Sequence, residues 1–147
     1  MKNTIMLLFL VVSNCIQAQN NEAQNTIENF FLAFHAQDTL KLKSLCDKKM
    51  ILQTIQEKEG SAKLVNSDPD SFFISIASIP KGTVFHEKIL SYAVQIEGSL
   101  AHVWTPYEFY INGKLSHKGA NSFTLFRNQI AENSNWKIIH LIDTRRK

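Results

Sequence analysis

The stretch HVWTPYEFYINGKLSHKGANSF, residues 102–123, decides how the rest of the chain is read, because two segments rich in aromatic and β-branched residues meet at Asn112-Gly113. An Asn-Gly pair in that setting predicts a two-residue type I′ hairpin, since both turn positions need positive φ. Such a turn fixes register, so Ile111 faces Lys114. Counting outward places Glu108 opposite His117, Trp104 opposite Asn121 and His102 opposite Phe123. One face then holds His102, Trp104, Glu108, Tyr110, Leu115, His117, Gly119, Asn121, Phe123 and Leu125. The other holds Val103, Thr105, Tyr107, Phe109, Ser116, Lys118, Ser122 and Thr124. Large apolar groups with isolated donors and acceptors make the first face the composition of a small-molecule pocket, and it is expected to be the concave one. A bulge in either strand would flip every assignment beyond it.

Within that face, Glu108 and His117 form the pair whose contact could do proton chemistry, the carboxylate raising the imidazole pKa and fixing its tautomer. The competing reading is an ion pair at the hairpin's open end, half in water. Trp104 and Tyr110 are candidates for ligand contact, as are His102 and Phe123, with core and rim packing as the alternative. Asn121 is the polar residue hardest to dismiss, because a buried amide must find a partner or a ligand. The chain has no Gly-rich phosphate loop, H-E-x-x-H, Cys-x-x-Cys or G-x-S-x-G, and its histidines fall on separate elements, so neither a metal nor a cofactor is expected.

Working outward, Ala23, Ile27, Phe30, Phe31 and Phe34 have the spacing of a helix that buries one stripe. His35 ends it, where its charge would suit the helix dipole, and His86 reads as a surface residue. Asp38 caps a second, short helix with Leu40, Leu42 and Leu45, and Met50 to Gln56 reads as a strand. Asp68 then caps a third helix with Pro69 at its first position and Phe72, Phe73, Ile76 and Ile79 on one side. Extended segments follow at roughly 83–97, 100–111, 114–127 and 136–144. The last carries His140 on the face of Trp136 and Ile138, and Asp143 with Arg145, read as a structural pair, on the other. The order α-α-β-α-β-β-β-β implies an α+β domain, helices laid on one face of a curved, mostly antiparallel sheet.

That order, the Val103-Trp104-Thr105-Pro106-Tyr107 strand and the Trp136-Lys137-Ile138-Ile139-His140 ending resemble the nuclear-transport-factor-2-like superfamily across residues 22–145, in particular its secreted bacterial lumazine-binding-like and SnoaL-like members. The resemblance implies a cone with an open mouth, and a histidine placed like His140 pointing into it. The superfamily spans isomerases, dehydratases, cyclases and plain pocket proteins, so fold does not select a function. Three functions are carried forward: a noncatalytic cone binding a small, partly apolar molecule; a cofactor-independent hydro-lyase or isomerase using His117 with Glu108, or His140, as proton shuttle; and a homodimer or interaction module built on the face bearing Val103, Tyr107 and Phe109.

Residues 1–19 follow the layout of a secretory signal peptide, with Lys2 before an apolar run from Ile5 to Val12 and a polar segment after it, leaving a domain over 20–147. The run is too short for a bilayer-spanning helix of roughly 20 residues. The expected location is secreted or periplasmic, away from membranes, unless Val12-Ser13-Asn14-Cys15 acts as a lipobox and Cys15 carries a lipid anchor. Removal of that segment leaves Cys46 as the remaining thiol, read as buried and inert. A net charge of +3, without a basic face carrying interleaved aromatics, argues against nucleic acid as a partner.

Overall fold

The computed structural model describes residues 22–128 and 135–147. The signal-peptide and lipobox readings, and residues 129–134 of the loop before the last strand, lie outside them.

Helix α1, residues 22–35, buries the predicted stripe: Ala23, Ile27, Phe30, Phe31 and Phe34 are all in the core. Helix α2 (Thr39–Leu45) starts where Asp38 accepts a hydrogen bond from the Lys41 amide at 2.9 Å. Helix α3 (Pro69–Ala77) starts the same way, Asp68 accepting from the Ser71 amide at 2.8 Å, with Pro69 in the first turn where its missing N–H costs nothing.

The strands are β1 (Cys46–Lys58), β2 (Ser61–Ser67), β3 (Phe85–Ile89), β4 (Ala93–Glu97), β5 (Leu100–Ile111), β6 (Lys114–Phe126) and β7 (Lys137–Arg146). They form one sheet in the order β2-β1-β7-β6-β5-β3, with β4 also pairing to β5. Every pair is antiparallel except β1 with β7. The helices cover one side, and Phe123 on β6 meets Phe30 and Phe31 edge to face, with ring centroids 5.5 and 5.8 Å apart.

Two elements differ from the sequence reading. Strand β2 is additional, giving α-α-β-β-α followed by five strands. Its residues are exposed or half-buried throughout, so no apolar alternation announces it. The segment expected over 83–97 is two strands, β3 and β4, that share the same edge of β5. Between them Pro106 has no N–H for a ladder and offers only its carbonyl, which accepts from the Leu90 amide at 2.9 Å.

The hairpin turns as expected at Asn112-Gly113, with φ values of 50° and 76°. Ile111 pairs with Lys114 and Tyr110 with Leu115, but Phe109 pairs with His117, so Ser116 is one residue too many. This bulge resets all pairing beyond it: Glu108 faces Lys118, Thr105 faces Asn121, Trp104 faces Ser122 and His102 faces Thr124. Strand β6 keeps its predicted inner face from His117 onward, while Leu115, on the turn side of the bulge and opposite Tyr110, is exposed. Strand β5 is inverted.

Candidate functional site

Between the helices and the inner sheet face lies a cavity of about 530 Å³. Its apolar wall comes from Phe30, Phe31 and Phe34 of α1, Phe72 and Ile76 of α3, and Phe109, Phe123 and Leu141 of the sheet. On the strands its polar lining is Thr54, Glu87, Tyr107, His117, Asn121, Asp143 and Arg145, and Ser67, Asp68, Ser71 and Ser75 add a smaller polar margin at the end of β2 and on α3. Such a distribution suits a ligand whose body is apolar and whose few polar atoms point at the sheet.

The two carboxylates on the sheet side of this lining are held differently. Asp143 is saturated: Oδ1 accepts from the Thr54 hydroxyl at 2.6 Å, and Oδ2 from Arg145 Nε at 2.7 Å and the Tyr107 hydroxyl at 3.3 Å. The expected Asp143–Arg145 pair is therefore present. Glu87 accepts one side-chain hydrogen bond among the described residues, from Asn121 Nδ2 to Oε1 at 2.7 Å. Desolvation pushes its pKa up to about 7, with Asp143 adding to the rise and the Asn121 hydrogen bond and Arg145 opposing it. Residue accessibility places Glu87 as only half-buried, because its side chain faces a hollow; its carboxyl group is nonetheless walled by protein on nearly every side.

Local structure explains both placements. The Glu87 amide donates to His35 Nε2 at 2.9 Å, which ties β3 to the end of α1. An acceptor Nε2 requires a neutral ring with its proton on Nδ1. Burial, helped by His86 whose ring lies 4.6 Å away, lowers the His35 pKa to about 4, so the ring is uncharged at neutral pH and does not serve the helix dipole as expected. On β6, a Cβ at Gly119 would lie 1.8 Å from the Thr144 carbonyl oxygen and 2.9 Å from the Tyr107 hydroxyl oxygen. Only glycine fits. Its bare backbone lets the Tyr107 hydroxyl reach across to donate to Thr144 O at 3.0 Å. Burial raises the Tyr107 pKa, and Asp143 and Glu87 reinforce that, so the phenol stays protonated.

Of the residues chosen from sequence, Asn121, Phe123 and His117 line the cavity. Asn121 is buried and uses its second amide hydrogen on Thr105 Oγ1 at 3.2 Å. His117 stacks on Phe109 with centroids 4.9 Å apart. Trp104, Tyr110, His102 and Glu108 stand on the opposite face, because the Ser116 bulge inverted β5: Trp104 is 41% exposed, and His102 Nε2 is 2.9 Å from Ser122 Oγ. The expected Glu108–His117 contact does not form. Glu108 instead accepts from Lys118 Nζ at 2.8 Å and Tyr110 OH at 2.7 Å. Burial first, then Arg145, lowers the His117 pKa rather than raising it.

His140 also faces away from the cavity, with Nε2 3.0 Å from Gln53 Oε1. A register shift between Thr124 and Leu125 puts Ile138 and Leu141, rather than His140, in the core. The face expected to meet a second copy, with Val103, Tyr107 and Phe109, is the cavity side, so it is not available to a partner. Cys46 is buried, and desolvation pushes its thiol up to about 12, which makes it unreactive. No group of three or more metal-ligating side chains occurs among the described residues. Glu87 was missed, although Phe85, Glu87 and Ile89 alternate onto the inner face; an acid at an inward phase was the available signal.

A helix-roofed, curved α+β sheet enclosing such a hollow is the nuclear-transport-factor-2-like fold, and solved structures agree. The chain is similar to a nuclear-transport-factor-2-like family protein of Streptomyces avermitilis named as a candidate dehydratase, with a TM-score of 0.64 and 14% identity, over 89% of this chain and 98% of that one. It is similar to a Pseudomonas putida protein of unknown function, with a TM-score of 0.67 and 10% identity over 87% of each chain. A third, from Shewanella frigidimarina and named as a candidate ketosteroid isomerase, has a TM-score of 0.59 and 14% identity over 83% of this chain and 94% of that one. At these identities the likeness is one of fold. The sequence matches no family model and no curated protein.

Proposed function

We propose that this chain is an exported pocket protein that holds a small, partly apolar molecule in its cone. The observation that carries the proposal is the cavity of about 530 Å³, phenylalanine-walled and polar on its strand side. Export rests on the residue pattern of positions 1–19, with a lipid at Cys15 as the alternative; mass measurement of the mature N-terminus separates the two. The closer resemblance to lumazine-binding-like and SnoaL-like members, carried by Val103–Tyr107 and Trp136–His140, belongs to the same proposal. A thermal-shift screen of aromatic and heteroaromatic metabolites tests it. At least one compound should raise the melting temperature of wild type, and by less in Asn121→Ala; a screen in which nothing shifts wild type counts against a binding cavity.

Glu87 favours a second reading, proton transfer without a cofactor, as in an isomerase or hydro-lyase. A carboxyl group held at about 7 is present in both protonation states at neutral pH, so it can take a proton from one carbon and return it to another. Glu87 here takes the place of Glu108 and His140, which face away from the cavity, while His117 remains in the lining. Deuterium wash-in beside the carbonyl of 2-tetralone in D2O is the assay. Acceleration by wild type that Glu87→Gln abolishes supports catalysis, and wash-in at the buffer rate with wild type removes this reading.

A further inference from the structure

Around Glu87 and Asn121 most side-chain hydrogen-bond donors of the cavity lining are already spent. The hydroxyls of Thr54 and Tyr107 donate to Asp143, with Tyr107 also reaching Thr144 O. Those of Ser71 and Ser75 donate to Asp68 Oδ2 and the Phe72 carbonyl. Asn121 spends both amide hydrogens, on Glu87 Oε1 at 2.7 Å and Thr105 Oγ1 at 3.2 Å. Where β3 and β6 line the cavity, two side-chain acceptors are left over. Asn121 Oδ1 and Glu87 Oε2 have no hydrogen-bond donor among the described residues, and both belong to side chains that line the cavity.

We infer that the cavity selects its ligand by an N–H or O–H group directed at Glu87 Oε2 and Asn121 Oδ1, carried on an apolar body of about the size of two fused rings that the phenylalanines cover. The inference rests on the reading of the cone as a binding cavity and adds the polarity of the occupant. A ligand that only accepts hydrogen bonds meets two lone-pair-bearing oxygens at this end. Arg145, with Nε already on Asp143 and its side chain half exposed, is the cation of the lining, and it is bound to the saturated carboxylate rather than to Glu87. Above neutral pH the cost of the arrangement is greatest, because an ionised carboxylate in a desolvated position then has a single donor. A ligand donor relieves that cost. Hydrogen bonds to charged groups are the stronger kind, so the donor's contribution to affinity should be at least about tenfold.

Three probes with one ring system isolate the head group: 2-naphthol, which offers O–H; 2-methoxynaphthalene, which keeps the oxygen but has no hydrogen to give; and 2-naphthylmethylamine, which offers N–H and is cationic. Dissociation constants are read at pH 8 by ligand-detected NMR titration of the whole chain. The inferred result is 2-naphthol or the amine binding at least about tenfold more tightly than the methyl ether, with the preference collapsing in Glu87→Leu. Whichever of the two leads shows whether the donor is neutral or charged. Equal binding of all three probes overturns the inference while leaving the cavity reading in place. Equal preference in wild type and Glu87→Leu overturns the assignment to Glu87, and no binding of any probe overturns the cavity reading with it. Wild type alone gives the head-group ranking, so the test survives a variant that fails to fold.

Discussion

Glu87 and Glu108 sit on neighbouring strands, Glu87 across from Phe109 and Glu108 across from Lys88, yet their carboxyl groups lie on opposite faces of the sheet. Outside, Glu108 accepts from Lys118 and Tyr110, and these bonds hold it below the usual carboxylate range. Inside, Glu87 has an amide for a partner and is pushed up to about 7. The residue type is the same and the backbone is a few ångströms away, so the face decides the chemistry. A glutamate surrounded by a cation and a phenol is committed to one charge state. A glutamate in a hollow is free to change, and therefore free to respond to what enters.

The sharpest way to break the contrast is Gly119→Ala, which drives a Cβ into the Thr144 carbonyl and takes the Tyr107 hydroxyl off β7. The expected loss is about 3 kcal/mol in urea unfolding, enough to disorder the inner lining; wild-type stability would mean that the close approach is not real.

Next comes Glu87→Gln, where the effect depends on pH. The folded chain keeps a proton on Glu87 up to about 7, whereas an unfolded chain releases it near 4.5, the ordinary value for a glutamate. The native state therefore binds more protons across that window, and its stability falls as pH rises through it. Substitution should be near neutral at pH 5 and stabilising at pH 8, by up to about 3 kcal/mol. A pH-independent difference between the two proteins would remove the claim of a raised pKa.

Tyr107→Phe should cost about 1–2 kcal/mol, since a buried carbonyl and a carboxylate oxygen lose a donor, and it should sharpen the contrast by leaving Glu87's pH profile in place. The smallest effect is expected from Glu108→Gln. Its stability should match wild type in high salt, and the affinity of any cavity ligand should be unchanged; a ligand that binds more weakly would place Glu108 on the wrong face.

Much of the fold was legible because local rules and burial agree. Asp38, and Asp68 with Pro69, start their helices as the residue pattern implies, the α1 stripe is buried, and Asn112-Gly113 makes the turn. The site was legible on one strand only. Ser116 is an ordinary polar residue in an alternating segment, and nothing in its side chain distinguishes a bulged residue from a paired one, so register beyond it could not be read. Asn121, Phe123 and His117 kept their face because the error fell on the partner strand. Glu87 was hidden for another reason: its inward position depends on β3 stopping at Ile89, and on His35, 52 positions earlier in the chain, accepting from its amide.

The chain carries its own optical record of inside and outside. Trp136 is 2% accessible, with the Arg127 guanidinium 4.7 Å from its ring, while Trp104 is 41% accessible on the far side of the sheet. Iodide added to the native protein should therefore extinguish a red-shifted share of the emission and spare a blue one, and the spared share should become quenchable only when the cone itself comes apart.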